Sequence, residues 1–189
     1  MSGPIPRVSF SHFGLYAADL AKMEDFYTRF MGFTVTDRGA LPTPGGKVDL
    51  VFLSRDPREH HQIVLASGRP PELPFNVVNQ LSFRVDSLAD LRVMHARLKD
   101  ETAVRDIAPV SHGNALSVYF RDPEGNRVEL FIDTPWYVTQ PLRIPFDFAL
   151  DDAPLMRWAE ETARTLPGFR PVAEWEREMA RRMGIAAPA

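Results

Sequence analysis

The chain has 189 residues, of which 44% are apolar and 25% charged, and its formal net charge is -3. This is the composition of a folded, soluble protein with one core or two small lobes, and the acidic balance, with no Lys/Arg cluster, excludes a nucleic-acid footprint. The absence of cysteine excludes disulfides, thiolate catalysis and Cys-held zinc or iron–sulfur sites, so any metal would be held by His, Gln/Asn and carboxylates.

No apolar run approaches the ~20 residues of a membrane span, and no basic-then-apolar leader opens the chain. A cytoplasmic protein is therefore expected. Residues 1–7 read as a Pro-containing arm. Residues 8–16 (VSFSHFGLY) predict a strand with His12 at its middle. Asp19 stands where a helix N-cap belongs, and the spacing of Leu20, Met23, Phe26, Tyr27 and Phe30 predicts a helix over 20–31 that Gly32 closes. A short strand over 33–37, a Gly/Pro loop over 38–47, and strands over 48–54 and 60–67 complete a first βαβββ module, residues 8–67. Residues 68–78 form a Pro-rich linker.

The order then repeats over residues 79–133. A strand over 79–85 (NQLSFRV) precedes a helix over 88–99 capped by Ser87, with Leu88, Leu91, Met94 and Leu98 along one stripe. A short extended piece over 105–109 leads to two strands, 115–120 and 128–132. Between these, Asp122-Pro123-Glu124-Gly125-Asn126 has the residues of a tight turn. Glu129 lies within the last strand beside Val128, Leu130 and Phe131. A carboxylate there faces solvent, meets a cation or binds a metal. Residues 134–189 are a tail, first extended, then helical over 154–166 and 171–183. It either covers the sheets or contributes to a subunit contact.

His12 pairs with Gln80, Leu20 with Leu88 and His61 with Glu129, each pair 68 residues apart. An internal repeat of this kind predicts two equivalent α+β lobes, with curved, barrel-like mixed sheets around a central cleft. Strand alternation would turn His12, His61, Gln80 and Glu129 inward together. Imidazole, amide oxygen and carboxylate make a hard-to-borderline set suited to Fe(II), Mn(II) or a similar divalent ion. The plainer readings stand beside this one. His60 alternates to the outer face, and His95 reads as a solvated helix residue. His112 sits in a loop, Tyr119 would pass as a core aromatic, and Trp136-Tyr137 forms a lid or pins the tail.

The segments SHFGLYAADLAKMEDFYTRFMGF and YFRDPEGNRVELF resemble the vicinal oxygen chelate (glyoxalase/bleomycin resistance/extradiol dioxygenase) superfamily, and the resemblance covers residues 8–133. Within it, HHQIVL, SHGNALSVYFRDP and ELFIDTPWYV are most similar to type I extradiol dioxygenases. The resemblance implies a homo-oligomeric enzyme that opens a catechol-like aromatic diol with O2 at Fe(II), or Mn(II). His12 then matches the first metal ligand and Glu129 the third. His61 matches the acid/base histidine, while His112 and Tyr119 match residues that contact substrate. Gln80 falls where that family has its second histidine ligand. An amide oxygen is the harder donor and shifts preference toward Mn(II). The resemblance leaves two alternatives. One is a metal-dependent isomerase, epimerase or lyase in which His61 moves the proton; separately, the ligand set could instead be His12, His61, Gln80 and Glu129, as in the four-ligand glyoxalases. The other is a metal-free binding protein of the resistance type.

Overall fold

Alternating apolar side chains become two open sheets in the computed structural model, one in each of the two units into which the chain divides, Met1–Asn76 and Val77–Ala189. The structure describes residues 9–73 and 77–187. The fold class is mixed α+β, as expected. Among the described residues neither sheet closes into a barrel, because its two edge strands do not pair with each other.

In the first unit the elements are β1 (Phe13–Ala17), α1 (Leu20–Asp25), β2 (Thr34–Thr43), β3 (Gly46–Ser54) and β4 (Ile63–Ser67), and the strand order is β1-β4-β3-β2. Asp19 caps α1 by accepting from the Lys22 amide at 3.0 Å. Residues Phe26–Phe30 continue the helix as one wide π turn, in which the Met31 amide reaches back to the Phe26 carbonyl. Met23, Phe26, Tyr27 and Phe30 are buried, as are Val51, Leu53, Ile63 and Leu65 of the sheet, and these residues form the core of this unit. The loop expected over 38–47 is instead the outer half of a long hairpin, closed by the Thr43–Gly46 pair around Pro44-Gly45. Gly39 and Pro42 disguised it. Both are tolerated because β2 is an edge strand, where a missing amide donor costs the ladder little.

The second unit contains β5 (Leu81–Arg84), α2 (Leu88–Asp100), β6 (Arg105–Ser111), β7 (Ala115–Arg121), β8 (Arg127–Asp133), β9 (Trp136–Tyr137), β10 (Ile144–Pro145), α3 (Asp152–Arg164), β11 (Arg170–Pro171) and α4 (Val172–Met183). Its main sheet runs β10-β6-β7-β8-β5. Leu116, Val118, Phe120, Val128, Leu130 and Ile132 share one buried face, and Leu88, Leu91 and Leu98 of α2 are buried with them. The β7–β8 turn is held by Asp122, which accepts from the amides of Glu124 and Asn126 at 3.0 and 2.8 Å and from the Asn126 side chain at 2.7 Å.

The tail docks onto this unit. Arg92 of α2 donates to the Asp152 carboxylate at 2.9 Å and to the Phe148 carbonyl at 2.8 Å. Trp136 is buried and donates its indole N–H to the Gly113 carbonyl at 2.6 Å, while Tyr137 stacks on Trp175 at 5.3 Å. Of the two readings of that aromatic pair, pinning the tail is the one these contacts describe. His95 corrects an expectation. It is buried, only 7% exposed, and its ring lies 4.5 Å from that of Phe148. The α2 stripe was expected to continue through Met94, but the tail covers the neighbouring face and takes His95 inside.

The repeat holds where it opens and slips where it ends. Phe13 and Leu81 begin equivalent strands, Leu20 and Leu88 begin equivalent helices, and each module has a bulge in its second strand. In the last strands, however, Phe13 pairs with Ile63 whereas Leu81 pairs with Val128. By register Gly14 faces Val64, and Ser82 faces Glu129. The counterpart of Glu129 is therefore Val64, not His61. The 68-residue match between His61 and Glu129 is displaced by three positions, an odd number, which turns a side chain to the other face.

Candidate active site

The expected residues fall into two groups, one in each unit. In the second, Glu129 sits at the middle of β8, directly opposite Ser82 of β5 on one side and Tyr119 of β7 on the other. Cross-strand neighbours share a face, so three polar side chains meet there. Glu129 is only 7% exposed, and its Oε2 accepts from the Ser82 hydroxyl at 2.5 Å and from the Gln80 amide at 3.2 Å. Its Oε1 lies 3.7 Å from His112 Nε2. Gln80 stands one residue before β5 rather than within a strand, and its amide also donates to Ser82 at 3.1 Å.

His112 is held from both sides. Its Nδ1 lies 2.5 Å from the Leu142 carbonyl, and its Nε2 lies 2.9 Å from the Tyr119 hydroxyl. A carbonyl only accepts, so Nδ1 donates to it, and Nε2 faces the Tyr119 hydroxyl. Burial, and then the hydrogen bond to Glu129, push the Tyr119 phenol well above its ordinary range against the opposing pull of Arg127 and Arg143. Tyr119 is thus an O–H donor at any physiological pH. The Arg127 guanidinium lies 4.4 Å from the centre of its ring.

These groups border an open cavity of about 520 Å³, lined by Gln80, His112, Tyr119, Gln140, Pro141, Leu142 and Arg143. The last four come from the extended stretch after β9. Gln140 fixes this stretch by donating to the His112 carbonyl at 2.6 Å and accepting from the Leu142 amide at 3.1 Å. No motif or spacing pointed to Gln140 or Arg143. Ser82 was accessible to reasoning, since it alternates with Gln80 onto the same strand face.

In the first unit, His12 stands one residue before β1 and His61 two residues before its partner β4, so neither lies inside a strand as expected. Their rings are 4.2 Å apart. His60 was expected to be a plain surface residue. It is exposed, but its Nδ1 lies 2.8 Å from that of His61. Burial, then the neighbouring His12 and His60, hold His61 below the ordinary imidazole range.

As donors to a divalent cation, Gln80 and Glu129 fit. They are adjacent, and both offer oxygen once the Gln80 amide is turned end for end. Among the described residues no cluster of three or more His, Asp and Glu side chains takes up a cation-holding arrangement. The second unit by itself supplies one carboxylate, one amide oxygen and the Nε2 of His112.

Residues 9–130 match the family described as the Glyoxalase/Bleomycin resistance protein/Dioxygenase superfamily. The chain is 30% identical over 174 residues to biphenyl-2,3-diol 1,2-dioxygenase 3 of Rhodococcus globerulus, an alignment that covers 89% of this chain and 80% of the relative. It is 29% identical over 187 residues to biphenyl-2,3-diol 1,2-dioxygenase 2 of the same organism, covering 84% and 93%. Among solved structures it is similar to a glyoxylase/bleomycin resistance protein/dioxygenase domain from Frankia sp. EAN1pec, with a TM-score of 0.55 at 22% identity over 68% of this chain and 100% of that one. It is also similar to a fosfomycin resistance protein from Listeria monocytogenes complexed with Mn(II) and sulfate, with a TM-score of 0.50 at 19% identity over 68% and 95%. At these identities the two solved structures speak to the fold alone.

Proposed function

We propose, from the premise that this chain belongs to the Glyoxalase/Bleomycin resistance protein/Dioxygenase superfamily, that it is an extradiol-type ring-cleavage dioxygenase acting on a catechol-like aromatic diol with O2. The observation that carries the reading is the buried Glu129 carboxylate, bonded by Gln80 and Ser82 and facing a His112–Tyr119 pair at the edge of an open cavity. Identity of about 30% to two biphenyl-diol dioxygenases supports it.

In this reading Gln80 and Glu129 would hold a divalent metal, Fe(II) or Mn(II), which when bound would lower the pKa of the diol oxygens and prepare O2. The chain's own residues do the rest. Tyr119 donates its O–H to a diol oxygen and so fixes the orientation of the ring. His112 accepts a diol proton at Nε2, while its Nδ1–H stays pinned to the Leu142 carbonyl, and the Glu129 carboxylate beside it favours the resulting imidazolium. In the first unit His61, whose ring lies 4.2 Å from that of His12, is the further candidate acid/base group, held below the ordinary imidazole range by burial and by the neighbouring His12 and His60. Assembly into a homo-oligomer is part of the proposal.

Metal analysis of the purified protein comes first, followed by anaerobic Fe(II) loading and O2 uptake on a panel of catechols. We expect uptake stoichiometric with the diol consumed. Bound metal without uptake would remove the dioxygenase reading. The Gln80 amide favours a second reading, a non-oxidative isomerase, epimerase or lyase of the same superfamily, because its oxygen is a harder ligand than imidazole. Solvent deuterium entering the substrate without O2 use would select it.

A further inference from the structure

The cavity of the second unit has three chemically different walls. Gln80, His112 and Tyr119 form a hydrogen-bonding end, Pro141 and Leu142 an apolar side, and Arg143 the lining residue with a permanent charge. Arg143 is exposed and makes no ion pair among the described residues. Other arginines of this unit are engaged: Arg84 with Asp133, Arg92 with Asp152, Arg121 with Asp106, Arg164 with Glu160 and Arg170 with Glu178. The backbone that presents Arg143 is fixed. Leu142 before it is bound to His112 and Gln140, and Ile144 after it pairs with Ser111. The backbone that carries the cation is therefore held at a set place on the rim, and the guanidinium is near enough to Tyr119 to act on its charge.

We propose that Arg143 selects the substrate, and that the favoured diol bears a carboxylate on a ring substituent. The diol would occupy the His112–Tyr119 end, the ring would lie along Pro141 and Leu142, and the carboxylate would meet the guanidinium, whose planar fork donates two hydrogen bonds to it. A neutral diol leaves that guanidinium in water and gains nothing from it. The inference rests on the reading of the site as a diol site, and it goes beyond that reading because the names of the curated relatives specify only a neutral biphenyl diol.

The test separates binding from turnover. Equilibrium dialysis measures the affinity of the full chain for 3-(2,3-dihydroxyphenyl)propanoate and 3,4-dihydroxyphenylacetate, against 3-propylcatechol and 4-ethylcatechol as their neutral counterparts. The Fe(II)-loaded protein then gives kcat/KM for the same four compounds. We expect at least one acid to bind about tenfold more tightly than its neutral partner, equivalent to about 1.4 kcal/mol, and its advantage in kcat/KM to reside in KM. Arg143→Gln should bring that ratio close to one, and Arg143→Lys should restore part of it. Equal binding of acid and neutral diol by the wild type, or a ratio that survives Arg143→Gln, overturns the proposal. If acids bind selectively through Arg143 but no diol is turned over, the selectivity stands and the dioxygenase reading falls.

Discussion

Glu129 has little access to water, yet the groups bonded to it, Ser82, Gln80 and Tyr119, are neutral, with His112 Nε2 3.7 Å away. A carboxylate so placed is offset by hydrogen bonds in the resting protein and can exchange them for a cation. Glu129→Gln keeps the shape and removes the charge, and metal content measured by mass spectrometry after dialysis should fall at least tenfold. Unchanged loading would show that the cation sits elsewhere. Gln80→His tests the neighbouring position. It should raise iron retention relative to manganese, because imidazole is the softer ligand. If neither Gln80→His nor Gln80→Ala alters metal content, Gln80 is no ligand.

At the scale of the element, the short link between β6 and β7 aims His112. Gly113 follows it with φ +74°, and a Cβ there would lie 2.3 Å from Val138 Cγ2. Trp136 and Thr134 both donate to the Gly113 carbonyl, so the link cannot readily shift away. Gly113→Ala should destabilise the protein by about 2–4 kcal/mol, combining an unfavourable backbone region with overpacking, as read from urea unfolding. A loss under 0.5 kcal/mol would mean the link is looser than its bonds imply. Both helices with their caps, and the turn at Asp122, were legible in the sequence because the signals are local: Asp19, Ser87 and the Asp-Pro-Glu-Gly-Asn run. The positions of His12, His61 and Gln80 just outside their strands were not, since where a strand begins depends on its partner. The register of β8 against β5 is likewise a fact about two distant segments, and a constant offset along the chain could not reveal it.

For the molecule as a whole, the docked tail ties stability to pH through His95. Burial, then the nearby Lys99 and Arg92, hold its pKa below the ordinary imidazole value. In the unfolded chain the same ring takes up a proton near pH 6.5. Below that value the unfolded state binds more protons than the folded one, so stability is lost as the pH falls from about 6.5 through the folded pKa. The thermal midpoint should therefore drop between pH 7 and pH 5.5, and His95→Leu, similar in size and unable to titrate, should flatten that decline. An equal slope in both proteins would assign the acid sensitivity to other groups. Nothing in the sequence placed His95 inside, because the tail residue it packs on, Phe148, lies more than fifty positions away.

The three-position slip in the final strand has a consequence for how the two halves divide their duties. Two modules of the same order offer the same scaffold for a ligand, yet here one module has the acid while the other, with Val64 in the matching slot beside Gly14, holds an aliphatic side chain. The first half has imidazoles without a carboxylate and the second a carboxylate with an amide. Neither half is a spare for the other.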